Sequence, residues 1–333
     1  MNKPIIYDNH QRPITYARIS VTDRCNLRCF YCMPEEGNKY LPRQELLSYE
    51  ELIRLQRMLA SQGVNKVRIT GGEPFVRKDL MQFLQALSEL DGIDEIHITT
   101  NGVLTTPHIP QLKELGISSV NLSIDSLDRK RFHEITRRDE LPKVLKCMDT
   151  LLQYDIKTKL NAVVMDGKNT EDIIPMAELT RELPLSVRFI EEMPFNGTGE
   201  HHNILYWNHT QILNTLKEHY PEIQRVPASP HSTASIYQIP GYQGKIGIIA
   251  AFSRTFCGTC NRIRITAQGM LKTCLYDQGV LDLKKLLRNG TSDEELLKEL
   301  LKAFGNRAAN GFEAEKRRDS DHSIHESMAT IGG

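Results

Sequence analysis

"YARISVTDRCNLRCFYCMP", residues 16–34, runs from a β-rich segment straight into a loop that holds Cys25, Cys29 and Cys32. The same strand signal returns as NKVRIT (65–70), DEIHITT (94–100), SSVNLSI (118–124), KTKLNAVV (157–164) and LSVRFI (185–190). Helical patterns lie between these runs. In 48–62, Ser48 and Glu51 make an S-x-x-E capping box ahead of Leu52, Leu55 and Leu59. This succession of six βα units predicts an α/β fold with a parallel sheet, either doubly wound or curled into a partial barrel. Such sheets bind ligands at the carboxyl ends of their strands. Thr70–Gly72, Thr100–Asn101, Ser123–Asp125 and Glu191–Met193 fall at those ends, with the cysteine loop.

The pattern changes after residue 193. PFNGTGEHHN (194–203) is a turn-rich break. A helix is expected at 207–219, then β-rich segments at 234–239, 246–252, 261–266 and 270–276, then helices near 281–288 and 293–304. From 306 onward the chain reads as a polar tail. The 333 residues carry 42 Lys plus Arg against 42 Asp plus Glu, so no net field points to nucleic acid or an acidic membrane. No apolar run is long enough to span a bilayer, and MNKPIIYDNHQRP at the start lacks a signal-peptide apolar core. A cytoplasmic location is the expectation.

The chain has 7 cysteines, an odd number that argues against a disulfide framework and toward metal or redox chemistry. Cys147, in LPKVLKCMDTLLQY, reads as a small buried hydrophobe. The first set, Cys25-x3-Cys29-x2-Cys32, has no fourth cysteine nearby. Thiolates suit zinc or iron–sulfur clusters. A structural zinc site wants four closed ligands and would need a distant fourth partner. A cubane cluster on three cysteines keeps one iron open. The second set is Cys257-x2-Cys260-x13-Cys274, whose flanking β-rich segments meet at AQG (267–269) in a hairpin that returns Cys274 to the first pair. His231 is a candidate fourth ligand for a Cys3His zinc site there, and that alternative stays open. Inside the hairpin, NRIRIT (261–266) puts Arg262 and Arg264 on one face. They are either an anchor for a polyphosphate or two solvated surface arginines.

The spacing of the first set, with aromatic Tyr31 before its third cysteine, resembles the signature of radical S-adenosylmethionine enzymes. A wider set of motifs extends the likeness: RISVTDRCNLRCFYCMP (18–34), VRITGGEP (67–74), TTNG (99–102), NLSIDSLD (121–128), KLNAVV (159–164), RFIEEMPF (188–195), CGTCNRIRIT (257–266) and the terminal GG. Together, from about residue 13 to the final glycine, they resemble the GTP 3′,8-cyclase (molybdenum cofactor biosynthesis protein A) family. The resemblance implies an incomplete (β/α)6 TIM-like barrel over 1–233 and a C-terminal α+β extension over 234–333 carrying a second iron–sulfur cluster. It implies a 4Fe–4S cluster on Cys25, Cys29 and Cys32, with S-adenosylmethionine on the open iron and against Tyr31, Gly72, Ser123 and Met193. It implies a second 4Fe–4S cluster on Cys257, Cys260 and Cys274 that binds guanine, with GTP also contacted by Arg18, Arg68, Thr99, Lys159, Arg262, Ile263 and Arg264. Arg262, Arg264, Gly332 and Gly333 would assist the reaction, the glycines as a flexible tail entering the site.

The implied chemistry is removal of the C3′ hydrogen of GTP by a 5′-deoxyadenosyl radical, followed by attack on guanine C8. The product would be (8S)-3′,8-cyclo-7,8-dihydroguanosine 5′-triphosphate, in the first step of molybdenum cofactor biosynthesis. Implied partners are an electron donor such as flavodoxin or ferredoxin, cyclic pyranopterin monophosphate synthase acting on the product, and a second copy of the chain in a homodimer. Residue chemistry points the same way. Arg18, Arg68 and Lys159 sit on predicted strands, where a cation is costly unless paired, and a triphosphate would pair them. No Walker-type G-x4-G-K-S/T occurs. Arg137, in ITRRDE (135–140), stands where many relatives have glycine, and is expected to change a loop without touching either cluster. Two other readings compete: a peptide-modifying radical enzyme, which would carry more C-terminal cysteines, and a zinc-stabilised RNA-binding protein, which would carry excess basic charge.

Overall fold

A computed structural model describes residues 4–195, 205–318 and 326–332. The expected βα succession is present. The strands are β1 (Tyr16–Ser20), β2 (Lys66–Thr70), β3 (Glu95–Thr100), β4 (Ser119–Ser123), β5 (Thr158–Val164) and β6 (Ser186–Glu191). Between them lie α1 (Tyr49–Ser61), α2 (Leu80–Ser88), α3 (Ile109–Glu114), α4 (Arg129–Thr136), α5 (Leu141–Gln153) and α6 (Ile173–Glu182). α1 starts where the capping box puts it: Ser48 accepts from the Glu51 N–H while the Glu51 side chain accepts from the Ser48 N–H. Its Leu52, Leu55 and Leu59 are buried against the sheet, each stabilising by about 1.5–3 kcal/mol relative to exposure.

The C-terminal part does not form a separate layer. α7 (His209–His219) is followed by β7 (Gln224–Val226), β8 (Ser235–Gln238), β9 (Lys245–Ile249), β10 (Arg262–Ile265), β11 (Met270–Lys272) and β12 (Leu281–Asp282), then α8 (Leu283–Arg288), α9 (Asp293–Phe304), α10 (Gly311–Lys316) and α11 (Met328–Ile331). All the strands described join one 12-stranded sheet ordered β12-β11-β10-β1-β2-β3-β4-β5-β6-β9-β8-β7. β10 pairs parallel with β1 (Arg18 opposite Arg264), and β9 pairs parallel with β6. The hairpin through AQG forms as expected, with Arg264 opposite Lys272.

Parallel strands covered on both sides read as continuously apolar. These alternate instead, β5 and β6 switching strictly between buried and half-buried positions. The apolar parity, including Ala17, Ile19, Val67, Ile69, Leu160 and Val187, packs under the helices. The polar parity faces a cavity of about 790 Å³ lined from both ends of the parallel run, by Ile249 of β9 and Arg262 of β10, and from its middle, so the sheet curls around it. A second, smaller apolar cluster of Phe195, Tyr276, Ala308, Ala314 and Ile331 fastens the end of the chain to the second cysteine region. The polar stretch after 306 therefore contains two short helices and a buried anchor. Among the described residues no helix is long and apolar enough to cross a membrane. Cys147 is fully buried, as its helical context suggested.

Candidate active site

The first cysteine loop leaves the carboxyl end of β1 and folds against the turn after β2. A Cβ on Gly72 would lie 2.4 Å from the Arg24 carbonyl, and one on Gly71 2.8 Å from the Thr22 carbonyl, so only glycine permits this approach. The Gly72 N–H donates to the Thr22 carbonyl and the Glu73 N–H to the Arg24 carbonyl. The paired glycines thus dock the cysteine loop as well as lining the cavity. Cys25, Cys29, Cys32, Tyr31, Gly72, Ser123 and Met193 all line that cavity. The Leu27 N–H and Asn101 Nδ2 approach Cys25 Sγ at 3.4 and 3.7 Å. Asn101 is fixed by Glu73, a fully buried carboxylate that accepts from the Asn101 N–H, Thr100 Oγ1 and the Phe75 N–H. Burial raises the Glu73 carboxyl to about 7 despite these bonds. Tyr31 donates to Asp125 Oδ2 at 2.8 Å. Burial, then Asp125 and the neighbouring cysteines, push the Cys29 thiol well up, and burial first pushes Cys32 to about 12.

The strand interiors carry a belt of cations. Arg18, Arg68, Lys159, Arg188, Arg262 and Arg264 line the same cavity. Arg68 is braced by Tyr16 Oη (2.6 Å) and the Ile98 carbonyl (3.2 Å), with Thr99 Oγ1 at 3.4 Å. The belt is repulsive. Burial, then Arg188 and Arg68, depress the Lys159 ammonium to about 6. Burial, then Arg68, bring Arg188 to about 10, and its Nε lacks a hydrogen-bond acceptor. Burial would raise the Tyr16 phenol, but Arg68 and Arg18 overcome it and hold it near 8. Buried Asn121 and half-buried Asn161 also leave enclosed Oδ1 atoms unbonded at the cavity wall. A polyanion is the ligand that such a wall is charged to hold.

The second cysteine set lines another part of this cavity. Arg262 Nε and an Arg307 terminal nitrogen lie 3.4 and 3.1 Å from Cys260 Sγ. Burial alone would raise the Cys260 thiol, yet Arg262 and Arg307 bring it down to about 6. All seven cysteines are free thiols. Among the described residues no three His, Cys, Asp or Glu side chains converge tightly enough to chelate one metal ion. The thiols of a cubane bind separate irons and stand wider apart than mononuclear ligands. His231 reaches the second loop through its Nδ1, 2.8 Å from the Thr259 carbonyl.

The chain's end enters the same space. Ser327 Oγ donates to the Cys32 carbonyl, and the Gly332 carbonyl accepts from Arg264 at 3.1 Å. Gly332 sits at φ +80°, where a Cβ would lie 2.4 Å from Thr70 Oγ1. Glu326 latches the segment to buried Lys272 with both oxygens at 2.8 Å. Gly333 lies outside the described residues. Of the residues the resemblance assigned to GTP, Ile263 turns away: its side chain is buried on the helix-covered face of β10. Arg137 takes the left-handed conformation a glycine would take, at φ +55°. It bonds the backbone of the first cysteine loop, donating to the Arg28 and Met33 carbonyls at 3.2 and 3.3 Å. Sequence reading missed Arg188, Asn161, Glu73 and Arg307 as members of the site. For Arg188 the signal was available, since it is one more cation at the inward parity of a predicted strand.

Comparison with known proteins agrees with this arrangement. Residues 19–180 match the Radical SAM superfamily model and 185–312 the Molybdenum Cofactor Synthesis C model. Molybdenum cofactor biosynthesis protein moc-5 of Caenorhabditis elegans is 42% identical over 96% of this chain and 54% of its own length. The human molybdenum cofactor biosynthesis protein 1 is 41% identical over 90% of this chain and 47% of its own length. The chain thus spans about half the length of these curated relatives. A GTP 3′,8-cyclase of Syntrophomonas wolfei is 40% identical, with 93% of this chain and 97% of that protein aligned. In fold, the chain is similar to Streptococcus suis SuiB (TM-score 0.61, 16% identity, covering 97% of this chain and 79% of that one). With curled parallel sheet, cysteine loop and sequence likeness in agreement, this chain belongs to the GTP 3′,8-cyclase family of the Radical SAM superfamily.

Proposed function

We propose that the protein is a GTP 3′,8-cyclase, converting GTP to (8S)-3′,8-cyclo-7,8-dihydroguanosine 5′-triphosphate at the start of molybdenum cofactor biosynthesis. One observation carries the reading: two three-cysteine sets and a belt of inward cations line a single cavity. In this reading the curled sheet is an incomplete (β/α)6 barrel over 1–233, completed at its margins by the 234–333 region. Cys25, Cys29 and Cys32 would hold one 4Fe–4S cluster, and Cys257, Cys260 and Cys274 a second. The donor chemistry fits: three soft, unpaired thiols at each place, without a closing fourth protein ligand in either motif. When bound, the first cluster and S-adenosylmethionine supply one-electron chemistry that yields a hydrogen-abstracting 5′-deoxyadenosyl group.

The chain's own residues do the positioning. Tyr31, Gly72, Ser123 and Met193 border the place for S-adenosylmethionine. Arg18, Arg68, Lys159 and Arg188 neutralise the triphosphate from inside the sheet, with Thr99 beside Arg68 and Ile263 limited to backbone contact. Arg262 and Arg264 span the ground between phosphates and the second cysteine set, where the guanine is read. The Gly332 carbonyl closes against Arg264, and the proposal keeps Gly333, which lies outside the described residues, as its partner in assisting the reaction. A reactive primary carbon radical must meet its target hydrogen before water or protein, so holding C3′ in reach is the largest contribution these residues make. A reductant such as flavodoxin or ferredoxin, cyclic pyranopterin monophosphate synthase as the next enzyme, and a homodimer belong to this proposal, as does a cytoplasmic location.

The reduced, reconstituted protein is incubated with S-adenosylmethionine and GTP, with ATP or a peptide replacing GTP as controls. Deoxyadenosine and a cyclised nucleotide that form only with GTP support the proposal. Turnover with a peptide but not GTP would replace it with the peptide-modifying reading.

A further inference from the structure

Arg307 lies in the stretch that reads as polar tail, yet its side chain is only 2% exposed. A guanidinium has five N–H donors, and all five are used. Nε donates to the Thr273 carbonyl at 2.9 Å. One terminal nitrogen donates to Asp8 Oδ2 at 3.2 Å and the Cys260 carbonyl at 2.9 Å. The other donates to Cys260 Sγ at 3.1 Å and the Arg262 carbonyl at 2.8 Å. These acceptors come from separate parts of the chain: the turn at residue 8, the entry to β10, and the residue before Cys274. Arg12 braces the same assembly, reaching Asp8 at 2.7 Å and the Cys257, Ala308 and Ala309 carbonyls.

We propose that Arg307 is the positioning residue of the second cysteine set. Its planar fork holds the Cys260 loop and the Cys274 strand in their relative places, and its bond to Cys260 Sγ supports negative charge on that sulfur when a cluster is bound. The inference rests on the reading that this set carries a 4Fe–4S cluster. A lysine keeps the charge but presents a compact ammonium that cannot reproduce five coplanar bonds. Loss of a hydrogen bond to a ligating sulfur also moves a cluster's reduction potential to more negative values. The competing account is that Arg307 only forms a buried ion pair with Asp8, holding the N-terminal turn.

The 333-residue chain, wild type, R307K and D8N, is reconstituted anaerobically and measured for iron, sulfide, cluster reduction potentials and thermal unfolding. Wild type binding about eight irons upholds the two-cluster reading, and wild type binding about four overturns that reading before any variant is compared. Given about eight, R307K is expected to lose about half its iron, with the first cluster's spectrum unchanged and any remaining second cluster harder to reduce. D8N, which keeps the carbonyl and sulfur acceptors of Arg307, is expected to retain both clusters. Full iron content with an unchanged potential in R307K overturns the proposal. So does parallel loss of both clusters or gross unfolding in R307K, and so does the same selective loss in D8N.

Discussion

Lys159 shows what a single side chain discloses about the ligand. Its ammonium is disfavoured inside the sheet by burial and by Arg188 and Arg68, which lower it to about 6. The sign of the consequence is fixed: the unfolded chain holds this proton up to an ordinary lysine pKa, the folded ligand-free chain does not. Stability therefore rises with pH from about 6 toward the ordinary lysine range, and K159M should flatten that rise in urea titrations at successive pH values. A bound triphosphate reverses the balance. At pH 7.5, calorimetry in buffers of different ionisation enthalpy should show wild type taking up about one proton more than K159M on binding GTP. Equal proton uptake would mean that Lys159 does not face the phosphates. Gly332 makes a second residue-scale case. In G332A the new methyl would crowd Thr70 Oγ1 at left-handed φ, so the end of the chain should leave Arg264 and product formation should fall at least about tenfold. Unchanged product yield would remove the tail from the reaction. Arg18, Arg68 and Lys159 were legible in sequence because charge at the inward parity of a strand is anomalous. Arg307 was not, because its acceptors at Asp8 and Cys260 are 299 and 47 positions away.

Elements were legible where local chemistry decides them. The Ser48–Glu51 box starts α1, and Ser292 with Glu295 starts α9 in the same way. S48A should lower stability by about 1 kcal/mol, read as a shift of urea midpoint without a change in slope. No shift would mean that packing of Leu52, Leu55 and Leu59 alone fixes the helix start. Pairing was less legible. β9 and β10 read as parts of a separate extension because periodicity gives a strand's faces, not its neighbour. Their partners β6 and β1 are set by long-range contact, and α10 and α11 are too short for a periodic signal. The two cysteine sets, by contrast, stand out from spacing alone because residue type carries that signal, while what they bind was implied only by the family resemblance.

At the scale of the molecule, zero formal net charge coexists with an interior wall of cations, so the field that matters is local and shielded from salt. Both cysteine sets border one cavity, so in the proposed function the two parts of the chain would share a single reaction chamber. Serine at Cys257, Cys260 or Cys274 should therefore leave S-adenosylmethionine binding within about twofold of wild type while abolishing cyclised product, measured by equilibrium binding and product analysis. Loss of both together would argue for a merely structural second set. The central claim is that each three-cysteine set leaves one iron for a reactant. Electron–nuclear double resonance on the reconstituted protein, with nitrogen-labelled S-adenosylmethionine and separately with nitrogen-labelled guanine in GTP, tests it most directly. The account predicts ligand-nitrogen coupling at a different cluster with each label. Zinc in place of iron, or a cluster that shows no coupling to either label, would contradict it.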